Sequence, residues 1–116
     1  MTLLKNKEFR NEAAFKRKAI AFIKERYGDD VWGWPPSDRF TRAVPDLIFC
    51  IKGLFFAIEL KNGQTKNLPH EKLQDINLDK IERAGGIALK ARTMQDLESH
   101  LTNFEMSLEN LKKLGD

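Results

Sequence analysis

The 116-residue chain predicts an α/β domain in which helices flank a mixed β-sheet and one long helix closes the chain. Three observations lead to this. The stretch from Val44 to Lys61, apolar between Leu47 and Ile58 except at Lys52-Gly53, reads as a β-hairpin with a two-residue turn. A helix-length segment from Pro69 to Ala84 separates it from a short strand, Ile87 to Ala91, and a crossover of that length joins parallel strands. Helical spacing of apolar residues opens the chain and closes it. Residues 1–116 form a single domain in this reading, with a core of about 8–92 and a last helix of about 93–114.

The first helix runs from about Asn6 to Tyr27, with Phe15, Ala19, Phe22 and Ile23 on its apolar side, and stops at Gly28-Asp29-Asp30. Glu12 falls on that apolar stripe. It is either a helix-start residue favoured by the macrodipole or an acidic group aimed at a site, and the pattern leaves both open. Val31-Trp32-Gly33-Trp34 reads as a strand ended by Pro35-Pro36. Trp32 and Trp34 share one side, where core packing is expected ahead of stacking on unpaired bases. A polar loop from Ser37 to Ala43 carries Arg39 and Arg42, and another, Asn62 to Asn67, carries Lys66.

In the helix opened by Pro69, Leu73, Ile76, Ile81 and Ala84 supply the expected apolar face, and Gly85-Gly86 the C-cap. Gln74 shares a helical spacing with Leu78 and Ile81, so it borders the packed side. Thr93 is the expected N-cap of the last helix, whose stripe of Met94, Leu97, Leu101, Phe104, Leu108 and Leu111 is heptad-like. A helix of about 20 residues reaches roughly 30 Å. The stripe therefore fits packing on the sheet or, in part, against another subunit.

The hairpin carries the chemistry. With Lys52-Gly53 as the turn, Ile51 pairs with Leu54, Ile48 with Ala57, and Asp46 with Glu59. Two carboxylates become cross-strand neighbours, with Cβ atoms about 4.5–5.5 Å apart, and Lys61 points to the same face. Both hairpin faces are apolar, as for strands covered on two sides, and Cys50 reads as a small core residue. Burying Asp46, Glu59 and Lys61 at a strand end would cost several kcal/mol each without a cation or partner. Such a trio is the outline of a hydrolytic metal site; exposed strand ends are the plainer alternative.

Composition narrows the remaining classes. Net charge is +3, but residues 1–66 carry thirteen Lys or Arg against eight Asp or Glu, whereas residues 67–116 carry seven against nine. Lys16, Arg17, Lys18, Lys24, Arg26, Arg39, Arg42 and Lys66 are candidate phosphate contacts, although charge alone favours an ordinary solvated surface. The lone cysteine excludes an intrachain disulfide, and His70 and His100 share no ligand spacing, which argues against structural zinc. The N-terminus lacks the apolar run of a signal peptide and no segment is long enough to span a bilayer, so a cytoplasmic protein without membrane contact is expected.

The order of elements, with Glu12, Val44-Pro45-Asp46-Leu47, Glu59-Leu60-Lys61, Gln74 and Ala84-Gly85-Gly86, resembles the PD-(D/E)xK nuclease superfamily. Within it the chain looks most like the small stand-alone VRR-NUC domains of phages and bacteria, from about Glu12 to Ala91. The resemblance implies a restriction-endonuclease-like α-β-β-β-α-β core and a DNA endonuclease. Asp46, Glu59 and the Leu60 backbone carbonyl would coordinate Mg²⁺ or Mn²⁺, with Glu12 joining directly or through water. Lys61 would position or deprotonate the attacking water, and Gln74 would support Lys61 or contact phosphate. It further implies branched DNA such as a four-way junction as substrate, whose two symmetrically related strands a homodimer would fit, and a bacterial or phage-infected host cytoplasm. Ala43 stands where the family usually has Gly, which suggests a slightly different loop conformation. A catalytically silent DNA-binding module serving a recombination or replication partner is the rival reading, and an unrelated α/β protein with an accidental motif is the third.

Overall fold

The computed structural model describes residues 12–36, 43–61 and 68–115. Helix α1 (Glu12–Tyr27) leads through a single 3₁₀ turn (Gly28–Asp30) into β1 (Val31–Trp34), followed by β2 (Leu47–Ile51), β3 (Leu54–Leu60), α2 (Leu68–Arg83), β4 (Ile87–Ala91) and α3 (Met94–Gly115). The sheet order is β1-β2-β3-β4, antiparallel except for the parallel β3–β4 pair that the α2 crossover requires.

Lys52 at φ 52 and Gly53 at φ 85 are both left-handed, the requirement of a type I′ turn, whose twist matches that of the flanking strands. Lysine therefore accepts a conformation that Asn or Asp adopts more readily. The register follows, with Ile51 opposite Leu54, Cys50 opposite Phe55 and Ile48 opposite Ala57. Leu47, Phe49, Ile51, Phe56, Ile58 and Leu60 consequently share one face. They are buried with Phe15, Ala19 and Ile23 of α1 and Leu97 and Leu101 of α3. Phe104 extends this core by meeting Phe56 edge-on, with ring centroids 4.7 Å apart.

The opposite face departs from the expectation of cover on both sides. Helix α2 packs on β4, with Leu78 buried and Ile81 half-buried, and leaves the β1–β2 side open. Cys50 is exposed and not a core residue; Trp32 and Trp34, expected in the core, are 69% and 45% exposed. One helix about 10 Å wide spans only about two strands spaced 4.8 Å apart, so among the described residues the far pair lacks cover. Ile76 and Ala84, assigned to the inner face of α2, also lie outside because Gln74, Leu78 and Ile81 set the packed side.

Helix ends follow their sequence cues. Gly85 at φ 98 closes α2 in a Schellman motif, with the Gly86 amide donating to the Ile81 carbonyl and the Gly85 amide to that of Glu82. Thr93 Oγ1 accepts from the Asp96 amide at 3.0 Å, and Asp96 Oδ2 accepts from the Arg92 amide, so α3 starts with two donors satisfied. Leu111 and Leu114 lie beyond the sheet and are largely exposed, so only the first part of the stripe is packed.

At the hairpin-turn end, Arg26 Nε and Nη2 donate to Glu105, Tyr27 Oη donates to Glu105 Oε2 at 2.6 Å, and Arg26 Nη2 also reaches Thr102 Oγ1. Arg26 is thus engaged in joining α1 to α3. Hydrogen bonding from Arg26, the largest influence, holds the Glu105 carboxyl below its ordinary value of 4.5, while burial first and Glu105 second push the Tyr27 hydroxyl up to about 12.

Two stability predictions follow from this framework. A Cβ on Gly33 would lie 2.3 Å from both the Ile48 carbonyl oxygen and the Phe49 ring. Gly33→Ala should therefore cost on the order of 3 kcal/mol in chemical denaturation, since the obstacles are backbone and a buried ring. Glu105→Ala should cost about 1 kcal/mol at neutral pH, given the partial exposure of the pair. Because the folded-state value of Glu105 lies below 4.5, its contribution is present above that pH and disappears as pH falls through the lowered value, so wild type and variant converge in acid.

Candidate active site

The acidic residues meet where β2 begins and β3 ends. The β2–β3 ladder stops at Leu47 opposite Ile58, one pair short of Asp46 and Glu59. Pro45 precedes Asp46, which bends out of the ladder, and its Oδ2 accepts the Leu60 amide at 2.8 Å. That side-chain bond continues the pairing the backbone has left. The residue's amide and carbonyl leave an extended strand on the same side, so the Leu60 carbonyl is also directed toward Asp46. Lys61, one residue on, donates its amide to Ala91 on the β4 side.

Glu59 lies on the α2-facing side of β3 and is 1% exposed. A carboxylate so placed has a strong need for compensating positive charge. Lys61 is two residues further on the same face, and its Nζ donates to Gln74 Oε1 at 2.5 Å. Gln74 is itself buried on α2, so the lysine is held from the helix layer above the sheet. One turn along, Asn77 Nδ2 donates to the Ala43 carbonyl at 3.0 Å. Helix α2 thereby steadies both the lysine and the segment leading into Asp46.

Ala43 has φ 56, the left-handed region that favours glycine. Alanine adopts it here, and the bond from Asn77 helps to hold it there. Lys16, on α1, places Nζ 3.9 Å from Asp46 Oδ1, at the edge of the site. The side chain of Glu12 and all of Arg39, Arg42 and Lys66 lie outside the described residues.

Sequence reasoning missed the polar rim beyond Lys61. Lys90 pairs in parallel register with Glu59, on the same face, and forms an ion pair with Asp75. Lys61, Glu71, Asp75, Lys90, Arg92 and Asp96 line a cleft of about 160 Å³. The available signal was a single lysine in the otherwise apolar strand Ile87–Ala91, read with the parallel pairing that the crossover already implied.

Among the described residues, no three Asp, Glu, His or Cys side chains converge as a metal cluster. The donors present are two carboxylates, Asp46 and Glu59, and a backbone carbonyl at Leu60. An all-oxygen set of this kind suits a hard divalent cation such as Mg²⁺ or Mn²⁺.

No family profile and no curated protein matches the sequence. Among solved structures the chain is similar to one described as a VRR_NUC domain, with a TM-score of 0.58 and 18% identity, covering 75% of this chain and 94% of that one. The fold is accordingly that of the VRR_NUC domain.

The Asp46–Leu60 contact has a measurable energetic signature. Asp46→Ala removes a charged acceptor from a partly buried amide and should destabilise by about 1–2 kcal/mol, whereas Asp46→Asn keeps an acceptor oxygen and should lose less than half of that. Denaturant titration in EDTA distinguishes the two without reference to activity.

Proposed function

We propose that the protein is a divalent-metal-dependent endodeoxyribonuclease that hydrolyses phosphodiester bonds in branched DNA. The observation that carries this reading is the buried carboxylate of Glu59 beside Asp46, with Lys61 held over the same sheet face by Gln74. A purely structural strand end has no need to gather two acids and a lysine fixed by a buried amide.

Asp46, Glu59 and the Leu60 carbonyl would hold Mg²⁺ or Mn²⁺, with Glu12 as a further acidic contributor. A cation there supplies positive charge to the phosphate as its oxygens gain charge. Lys61 has three N–H donors, and the one given to Gln74 fixes the direction of the others toward the attacking water and a non-bridging phosphate oxygen. Water adds to phosphorus, the ester P–O bond breaks, and the leaving oxygen takes up a proton. Lys16 and the cations of the polar rim, Lys90 and Arg92, would meet neighbouring phosphates, with Arg39, Arg42 and Lys66 as further contacts.

A four-way junction is the preferred target in this reading. It offers two symmetrically related strands, which suits a two-fold homodimer with one site per protomer. The exposed stripe around Leu111 and Leu114 is the surface assigned to the second copy.

The decisive experiment incubates the purified protein with labelled junction, fork, duplex and single-stranded DNA in Mg²⁺, Mn²⁺ or EDTA, and follows sedimentation under the same conditions. Junction cutting should require the cation and fall at least about a hundredfold in Asp46→Ala, Glu59→Gln and Lys61→Ala. Mg²⁺ or Mn²⁺ should also raise the melting temperature of wild type but not of Glu59→Gln, a readout independent of cleavage. Tight DNA binding without cutting would favour the silent module, and wild-type cutting by Lys61→Ala would remove the lysine from the chemistry.

A further inference from the structure

Trp32 and Trp34 stand side by side on edge strand β1 and take no part in the cleavage chemistry above. We propose that they form a stacking platform for unpaired nucleobases, so that the substrate presents a single-stranded segment next to the bond being cut; this rests on the nuclease reading of the Asp46–Glu59 site.

The two indoles project from the same side of β1, with ring centroids 5.0 Å apart and planes inclined by 57°. They are 69% and 45% exposed, and Phe55, at 46%, continues the apolar surface across the sheet. Rings this open bring little to the core, yet their strand is firmly placed. Gly33 lies so close to the Ile48 carbonyl and the Phe49 ring that no side chain fits between them. The platform is thus pre-organised, and binding a base would cost little conformational freedom.

Its position selects the occupant. Trp34 pairs with Ile48, which lies two residues after Asp46 on the same face; Ile48 in turn pairs with Ala57, two residues before Glu59. From strand spacing and rise, Trp34 lies about 8 Å from Asp46 and about 12 Å from Glu59. An apolar surface that runs directly into two acids and a lysine suits an amphipathic polymer, with flat apolar bases and a charged backbone. A protein cover would instead obstruct the site. Paired bases hide their faces inside the duplex, so indoles recognise bases only where strands are open.

The chain contains just these two tryptophans, so fluorescence excited at the red edge of the indole band, where Tyr27 does not absorb, reports on the platform alone. Wild-type protein in EDTA is titrated with oligothymidylate and with a duplex of equal length. Single strand should quench the fluorescence saturably and duplex should not. Trp34→Ala should weaken single-strand binding about five- to a hundredfold, the equivalent of one lost stacking contact, with duplex binding within about twofold of wild type. Trp34→Thr, which keeps a strand-forming residue, serves if the alanine variant folds poorly. Wild-type cleavage of branched DNA in Mg²⁺ without any quenching by single strand would overturn the platform and leave the nuclease standing. Quenching with no cleavage of any DNA would support the platform and remove the nuclease. A fluorescence change that follows protein concentration, with a dimer that Trp34→Ala dissociates, would overturn the proposal in favour of a second copy on this face.

Discussion

The register of the β2–β3 hairpin governs everything else, because side chains alternate and a slip of one residue would exchange the two faces. Glu59 would then point at Phe15 and Leu97, while Leu60 would face α2. The type I′ turn at Lys52-Gly53 prevents this at one end, and the Asp46 carboxylate bonded to the Leu60 amide prevents it at the other. The same contact that ends the ladder thus brings the first acid to the second. Structure and candidate chemistry here share one hydrogen bond.

Helix α2 does the corresponding task from above the sheet. Gln74 and Asn77 are three residues apart and so lie on neighbouring positions of one helical face. Gln74 accepts from Lys61 and Asn77 donates to Ala43, tying the exit of β3 and the entry to β2 to one rigid rod. Their orientation rests on the apolar contacts of Leu78 and Ile81 and on the Schellman close at Gly85-Gly86, which sends the chain directly into β4. Polar groups that are buried in this way add direction to a site as well as energy.

The two sheet faces have different fates. One is closed by α1 and α3 into a continuous apolar core; among the described residues, the other is covered by α2 over β4 and the adjoining part of β3, which leaves Phe55 half exposed. The open half carries Trp32, Trp34 and Phe55 next to the acids, an arrangement in which an exposed apolar surface has meaning beyond imperfect packing. At the opposite end of the sheet, Arg26, Tyr27 and Glu105 lock α1 to α3, so the core is tied at the end remote from the acids.

Much of this was legible beforehand. Periodicity, the Lys52-Gly53 turn and the length of the crossover determined the order of elements, the hairpin register and the mixed sheet, because each depends on local spacing and on the geometry of short connections. The same arithmetic placed Asp46, Glu59 and Lys61 at one strand end and Gln74 near the packed side of α2. It could not show which half of an apolar face lacks a cover, because an exposed tryptophan and a buried one have the same place in an alternating pattern. The pattern therefore places Cys50 and Trp32 in the core, and it gives no sign of Lys90 beside Glu59, a neighbour that only the packing of β4 on β3 supplies. Only the tertiary structure decided these points: how far α2 reaches across the sheet, which carboxylate takes the Leu60 amide, and where the last helix leaves the core depend on the joint packing of distant segments.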